Sequence, residues 1–453
     1  LIKGDILMNQ QSSPSTGRTL LRLGLILGTV TILVALGLSL AAAEGLVDLA
    51  RVTVASSSDR SSYNPSINPD GTKIAFESYS DFLGQGIPIY QYEIWLHDTQ
   101  TMSLTRVTTA SPSDRDSGNP SINAGGTRIA FDSDSDFLGQ GILQYQREIW
   151  LYDTATMTVT RVTTSSDGNN RDSQYPSLNA DGTKIAFQSN SDFLGQGILQ
   201  GHLEIWLYDT ATMTVTRVTS ASNDYQYSRY PSISADGTKI AFQSDSDFLG
   251  QGTVQYQPEI WLYDTTTMTV TRVTTASDSN RRSEYPSISA DGAKIAFESD
   301  SDFLGQGISP GQTQIWVYDT QSSSLELITT PGYSGTTRYA DASLSGDGMR
   351  VAFVEFPFWG PYAMVSRPPM LVDSTNVWLY DMVSEDMVQI TQAVGWGTRS
   401  SLDPCLNQDG TWITFDSDSD LLNQNIPRYQ SEIWLAHYDP TTIYLPQVFE
   451  TGE

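Results

Sequence analysis

From about residue 51 onward the chain alternates short apolar and polar runs with turn residues, and one phrase returns seven times. It is clearest as Tyr285-Pro-Ser-Ile-Ser-Ala-Asp-Gly292, followed by Lys294-Ile-Ala-Phe297 and then Ile315-Trp-Val-Tyr-Asp319. Each copy predicts four short strands rich in β-branched and aromatic residues: Pro-Ser-Ile-Ser (a), Lys-Ile-Ala-Phe (b), Glu-Ile-Trp-Leu-Tyr (c) and Thr-Val-Thr-Arg-Val-Thr (d). Asp-Gly pairs such as Asp181-Gly182 turn a into b, and stretches such as Asp153 to Thr156 turn c into d. The turn glycine recurs at Gly71, Gly126, Gly182, Gly237, Gly292, Gly348 and Gly410, a period of 55 or 56 residues until a last interval of 62.

One such sheet does not fold alone. Ordering its backbone costs roughly 1 to 2 kcal/mol per residue, against roughly 1.5 to 3 kcal/mol for each buried Ile, Phe or Trp. Packing seven sheets face to face in a ring supplies the missing burial and leaves only short, protected edges. The expected fold is all-β: a seven-bladed β-propeller of four-stranded antiparallel blades, preceded by an N-terminal signal or hydrophobic helix. Two segments compete to complete the last blade. Leu49-Ala-Arg-Val-Thr53 repeats strand d, whereas Ile443-Tyr-Leu-Pro-Gln-Val448 carries Pro446, which would interrupt an interior ladder. The N-terminal strand is therefore expected to close the ring, with residues 441–453 as a tail.

The phrase Pro-Ser-x-Ser-x-Asp-Gly-x-x-Ile-Ala-Phe followed by Ile-Trp-Leu-Tyr-Asp resembles the WD-like β-propeller repeat of the TolB family, over nearly all of residues 51 to 440. The resemblance implies a six- or seven-bladed propeller serving mainly as a binding platform in the bacterial envelope. Some members carry an added catalytic or docking domain, for which this chain is expected to leave no room. The chain departs from the family in its longer b–c loop, and it is expected to lack the small domain that precedes the TolB propeller. Pairing with the Tol-Pal machinery is thus not implied.

Arg18 and Arg22 precede an apolar run from Leu23 to Leu40 and then Ala41-Ala42-Ala43, the layout of a secretory signal. Residues 1–43 are read as a signal peptide or an uncleaved membrane anchor, residues 44–440 as the propeller, and the protein as secreted or periplasmic. The first 43 residues sum to +2, so a net charge of −27 leaves the body at −29. Such a body repels nucleic acid and anionic lipid, and the expected partner of a monomeric propeller is a protein or a polysaccharide. The lone Cys405 excludes an intrachain disulfide.

In an up-and-down blade the b–c loop and the d-to-a connection emerge on one face, the candidate functional surface. Most b–c loops begin Ser-Asp-Phe-Leu-Gly-Gln-Gly, with aspartates at Asp81, Asp136, Asp192, Asp247 and Asp302. Two runs lengthen to Asp132-x-Asp134-x-Asp136 and Asp416-x-Asp418-x-Asp420, a weak signal for calcium. The plainer expectation is that each loop aspartate caps its own turn or pairs with Arg60, Arg115, Arg171, Arg281 or Arg399. Blade 6 replaces the shared loop with an aromatic segment from Phe353 onward, so Phe356, Phe358, Trp359 and Tyr362, joined by Trp396, form the candidate ligand-binding platform. His97, His202 and His437 fall in separate repeats, and no Gly-x-Ser-x-Gly elbow occurs. The expected function is therefore a non-catalytic, cofactor-free binding module. The alternative is a carbohydrate-active enzyme, a glycoside hydrolase or polysaccharide lyase, working through rim carboxylates.

Overall fold

The computed structural model describes residues 46–57, 60–110, 115–165, 171–198, 201–221, 226–253, 256–276, 278, 280–330, 337–357, 375–392, 399–427 and 429–441. They form seven four-stranded antiparallel sheets, each ordered a-b-c-d from the centre outward. Blade 3 shows the pattern, with strands Ser173–Leu178, Lys184–Ser189, Glu204–Asp209 and Thr214–Arg217. The last blade is completed by the N-terminal strand Leu46–Arg51, which pairs antiparallel with Glu432–Tyr438. The ring is thus closed by the segment that repeats strand d. Residues 1–45 lie outside the described residues. Among those described, no helix is long and apolar enough to cross a membrane.

The core lies between blades rather than within them. Ala130 and Ile149 of blade 2 pack with Leu178, Ile185, Phe187 and Trp206 of blade 3, and Ile433 and Leu435 of blade 7 join Ile67, Ile74, Phe76 and Trp95 of blade 1. This is the burial that a lone blade lacks. The a–b turns latch neighbours together on the opposite face from the b–c loops. Gly237 sits at φ 69°, and an added Cβ there would lie 2.6 Å from Cδ of Lys184 of the preceding blade, so both conformation and space demand glycine. Lys239 Nζ likewise donates to the Gly292 carbonyl at 2.9 Å.

Each c strand of blades 1 to 4 and 7 begins with a buried glutamate: Glu93, Glu148, Glu204, Glu259 and Glu432. Glu204 accepts from Arg217 Nη2 at 2.7 Å, from the Thr219 hydroxyl and from the Ala221 backbone N–H at 2.8 Å. A charge buried in this way is tolerated because each oxygen is matched by donors. The spacing Glu-x12-Arg-x-Thr carries this unit through blades 1 to 4, a pattern written along the chain.

Candidate functional site

Strand a of every blade carries a mid-strand bulge at a residue in the left-handed region: Asn64, Asn119, Tyr175, Tyr230, Tyr285, Asp341 and Asp403, with φ between 49° and 55°. For non-glycine residues such backbone is strained by about 1 to 3 kcal/mol and persists only where its surroundings hold it. A side chain from strand b of the preceding blade does so in five cases. Tyr230 N–H donates to Gln188 Oε1 at 3.0 Å, Tyr285 N–H to Gln243 Oε1 at 2.8 Å and Asp341 N–H to Glu298 Oε2 at 3.1 Å. Asn119 and Tyr175 donate in the same way to Glu77 and Asp132. The seven bulge residues and those that follow them surround a central cavity of about 600 Å³.

The wall of this channel is not seven-fold. Blades 3 to 5 present Tyr175, Tyr230 and Tyr285 as a continuous aromatic row, with ring centroids 4.8 and 4.6 Å apart. Tyr175 and Tyr285 keep 37% and 40% of their surface exposed, so the row is open to a ligand. Blades 6 and 7 present the carboxyls of Asp341 and Asp403 instead, and blades 1 and 2 present Asn64 and Asn119. Burial pushes Glu298 up to about 8, with Asp341 beside it adding to the shift, and burial pushes Asp341 itself to about 7. Glu77 is raised to about 7, again chiefly by desolvation. Asp403 and Asp416 are both raised by burial, and the neighbouring Asp403 carboxyl disfavours ionisation of Asp416 further. Asp416 Oδ1 is buried without a hydrogen-bond partner. Carboxyls held near neutrality are suited to giving and taking protons at neutral pH.

Two clefts open beside the tyrosine row. One, of about 240 Å³ between blades 4 and 5, includes Tyr227, Arg229, Gln243, Asp245, Arg282 and Glu284 in its lining. The other, of about 440 Å³ between blades 5 and 6, includes Arg282, Glu284, Glu298, Asp300, Arg338 and Phe356. Glu298 therefore faces a cleft and holds the channel residue Asp341 at the same time.

Of the aromatic platform expected in blade 6, Phe358, Trp359, Tyr362 and Trp396 lie outside the described residues. Phe356 is described, and it is not in a loop. Strands a and b of this blade run to Thr337–Leu344 and Arg350–Pro357, eight residues each, because Val354 and Phe356 continue the apolar alternation. Phe356 packs on the core of blades 6 and 7, with the Arg338 guanidinium 5.0 Å from its ring centre.

The two aspartate runs do not converge as calcium ligands. Asp132 lies in a strand, pairs with Arg147 and accepts from Asn119 Nδ2 at 2.8 Å. Asp134 accepts from the N–H groups of Asp116 and Tyr145, and Asp136 from those of Gln140 and Gly141. In blade 7, Asp416 accepts from Ser431, Asp418 from the Ser400 and Tyr429 N–H groups, and Asp420 from those of Gln424 and Asn425. Each carboxylate is turned to its own donors, and no group of three or more His, Cys, Asp or Glu among the described residues is placed to hold a metal ion. The other loop aspartates cap their turns, as Asp192 does for Gln196 and Gly197, both at 2.7 Å. The d-to-a arginines donate to loop carbonyls instead of pairing with those aspartates: Arg115 reaches the carbonyls of Asp134 and Ile142.

Neither a protein-family model nor a curated protein sequence matches this chain. Solved structures do. An oligogalacturonate lyase from Vibrio parahaemolyticus, 12% identical, aligns over 86% of this chain and 93% of its own with a TM-score of 0.55. An oligogalacturonate lyase in complex with manganese, 14% identical, aligns over the same shares with a TM-score of 0.54. A putative TolB from Agrobacterium tumefaciens, 18% identical, covers 76% of this chain and 96% of its own at a TM-score of 0.43. The propeller fold is shared, while the narrower TolB-type repeat remains a resemblance of sequence. These matches correct the expectation of a non-catalytic binding module, since the lyases align best with the alternative of a carbohydrate-active enzyme. The manganese of the second lyase structure is not carried over. His97, His202 and His437 belong to separate blades, and among the described residues no three His, Cys, Asp or Glu side chains gather to hold a metal ion.

Proposed function

We infer that this chain is a carbohydrate-active enzyme that cleaves a polysaccharide where the tyrosine row meets the carboxyls of blades 5 and 6. The observation that carries this reading is the position of Glu298. It is a buried carboxyl raised to about 8, at the wall of an open cleft, next to a row of partly exposed aromatic rings. Sugar rings stack on Tyr175, Tyr230 and Tyr285, whose faces complement their C–H surfaces. Protonated Glu298 gives its proton to the departing glycosidic oxygen as the bond to the sugar carbon breaks. Asp341, held through its backbone by Glu298, is the matching proton acceptor once ionised, taking a proton from water in hydrolysis or from the sugar carbon in elimination. No step runs through a metal. The fold shared with the oligogalacturonate lyases supports the substrate class, and export through residues 23–43 belongs to the same reading.

The test is a polysaccharide panel incubated with the full chain, scored for new reducing ends and for the ultraviolet absorbance of unsaturated products. Reducing ends without absorbance identify hydrolysis, and both together identify elimination. Release from no polysaccharide at any pH between 5 and 9 overturns the reading.

A further inference from the structure

In a body this acidic, almost every described cation is committed to the architecture. The d-strand arginines Arg51, Arg106, Arg161, Arg217 and Arg272 pair with the c-strand glutamates. Arg60, Arg115, Arg171, Arg281 and Arg399 hold b–c loop carbonyls. Arg128 and the lysines Lys184, Lys239 and Lys294 reach turn carbonyls of the next blade. Lys73, Arg147 and Arg350 pair with Asp98, Asp132 and Asp381.

Three arginines remain, and they are neighbours. Arg229, Arg282 and Arg338 line the two clefts on blades 4, 5 and 6, and among the described residues none of them forms an ion pair. Arg229 lies 4.7 Å over the Tyr227 ring with its Nε buried and unpartnered, and Arg338 lies 5.0 Å over Phe356. Flat packing on a ring fixes a guanidinium while leaving its edge N–H groups for a planar anion. The carboxyls that share these clefts are occupied elsewhere. Asp245 accepts from the Tyr227 and Tyr256 N–H groups, Asp300 from those of Arg282 and Gly311, and Glu298 from that of Asp341. Glu284 shares the first cleft with Arg229 and Arg282, and burial raises it against the pull of both guanidiniums. Glu298, raised to about 8 by burial, adds little negative charge to the cleft it shares with Arg282 and Arg338 at neutral pH.

We propose that Arg229, Arg282 and Arg338 form an anion subsite that binds the acid groups of a carboxylate- or sulfate-bearing glycan lying along the tyrosine row. The inference rests on reading the channel as a polysaccharide site and names the class of substrate it takes. Arginine forks match planar oxyanions with two parallel hydrogen bonds, and acid groups on successive sugars meet arginines on successive blades.

The test uses calorimetric titration of the full chain with a uronic-acid oligosaccharide, its carboxyl-reduced neutral counterpart, and a sulfated oligosaccharide of equal length. Each arginine is replaced by the residue that another blade carries at the same position: Arg229→Gln, as at Gln174, and Arg282→Ser and Arg338→Ser, as at Ser61 and Ser400. Single replacements run beside the triple variant, with thermal melting confirming that each is folded. An acidic oligosaccharide binding at least tenfold tighter than the neutral one, with that margin lost in the variants and eroded by salt, supports the subsite, and the tighter acidic arm names the acid group. Equal affinity for acidic and neutral forms, or a margin untouched in folded variants, overturns it. Acidic glycan bound but no polysaccharide cleaved keeps the subsite and sinks the catalytic reading. Neutral glycan cleaved without any acidic preference does the reverse.

Discussion

The propeller buries two sets of acidic side chains, and the repeats treat them differently. At the start of strand c, blades 1 to 4 and 7 keep glutamate opposite an arginine of strand d, and where blades 5 and 6 depart, both partners change together, to Gln314 with Leu327 and to Asn376 with Gln389. Gln314 still accepts from Thr329 at 2.9 Å. On strand b, the position whose side chain holds the next blade's bulge in five repeats reads Glu77, Asp132, Gln188, Gln243, Glu298, Val354 and Asp416. Here members change singly, leaving carboxyls such as Glu298 and Asp416 raised by burial instead of paired with a cation. A buried charge that only supports the fold must vary with its partner, because an orphan costs several kcal/mol. The strand b carboxyls do not vary in this way, and the proposed catalysis draws on that difference.

The comparison breaks most sharply at Glu204. Glu204→Ala strands Arg217, Thr219 and a backbone N–H, and a loss of about 3–5 kcal/mol is expected in denaturant titrations. Adding Arg217→Leu to Glu204→Gln, the pair already present in blade 5, should recover most of it. If the double replacement is as damaging as the alanine, the paired-charge account fails.

In the channel the largest expected effect is on activity. Glu298→Gln keeps an acceptor for the Asp341 N–H but removes the proton, so cleavage should fall about 100-fold or more while the melting temperature at pH 5 stays close to wild type. Stability gives an independent check through pH. A carboxyl whose folded value is raised from 4.5 to about 8 holds its proton longer folded than unfolded. Its contribution is present below pH 4.5 and is lost as pH rises through 8. Wild type should therefore lose on the order of 1–3 kcal/mol between pH 5 and pH 9, and Glu298→Gln should flatten that slope. An unchanged slope would show that Glu298 is already ionised near neutrality.

Smaller effects sharpen the picture. Tyr230→Asn installs the residue that blades 1 and 2 carry at this bulge, so the backbone is kept and only the aromatic face is lost. Oligosaccharide affinity should drop about 3- to 10-fold, in line with roughly 0.5–1.5 kcal/mol for an aromatic contact, with little change in melting. Smallest of all, Asp192→Ala frees the Gln196 and Gly197 N–H groups at an exposed turn, and about 1 kcal/mol should appear as faster local hydrogen exchange rather than lost activity.

Much of the fold was readable along the chain. Asp-Gly turns, two-residue alternation and the 55-residue period sufficed for seven blades of four strands, and Arg51-Val52-Thr53 identified the closing strand against the competitor bearing Pro446. The loop aspartates were half legible: their capping followed from local turn chemistry, but Asp132 and Asp416 were assigned to loops although they lie within strands that run to Ser133 and Ser417. The expected platform pointed to blade 6, whereas the described aromatic row comes from Tyr175, Tyr230 and Tyr285, which read simply as part of the repeated phrase.

What the sequence determined by itself is everything that depends on neighbours in the chain: strand period, turn type, repeat count, and the apolar surface that forces blades to stack. What only the tertiary structure decided is which side chains meet across blades. Residues about 55 apart become adjacent once the ring closes, so Glu298 reaches Asp341, three tyrosines become one surface, and Arg229, Arg282 and Arg338 become one sector. The physical reason is burial. Closing the ring strips water from strand b, and it is that loss of solvent, acting on carboxyls that form no close ion pair and outweighing the pull of the nearer arginines, that raises acidic residues such as Glu298 toward holding a proton at neutral pH.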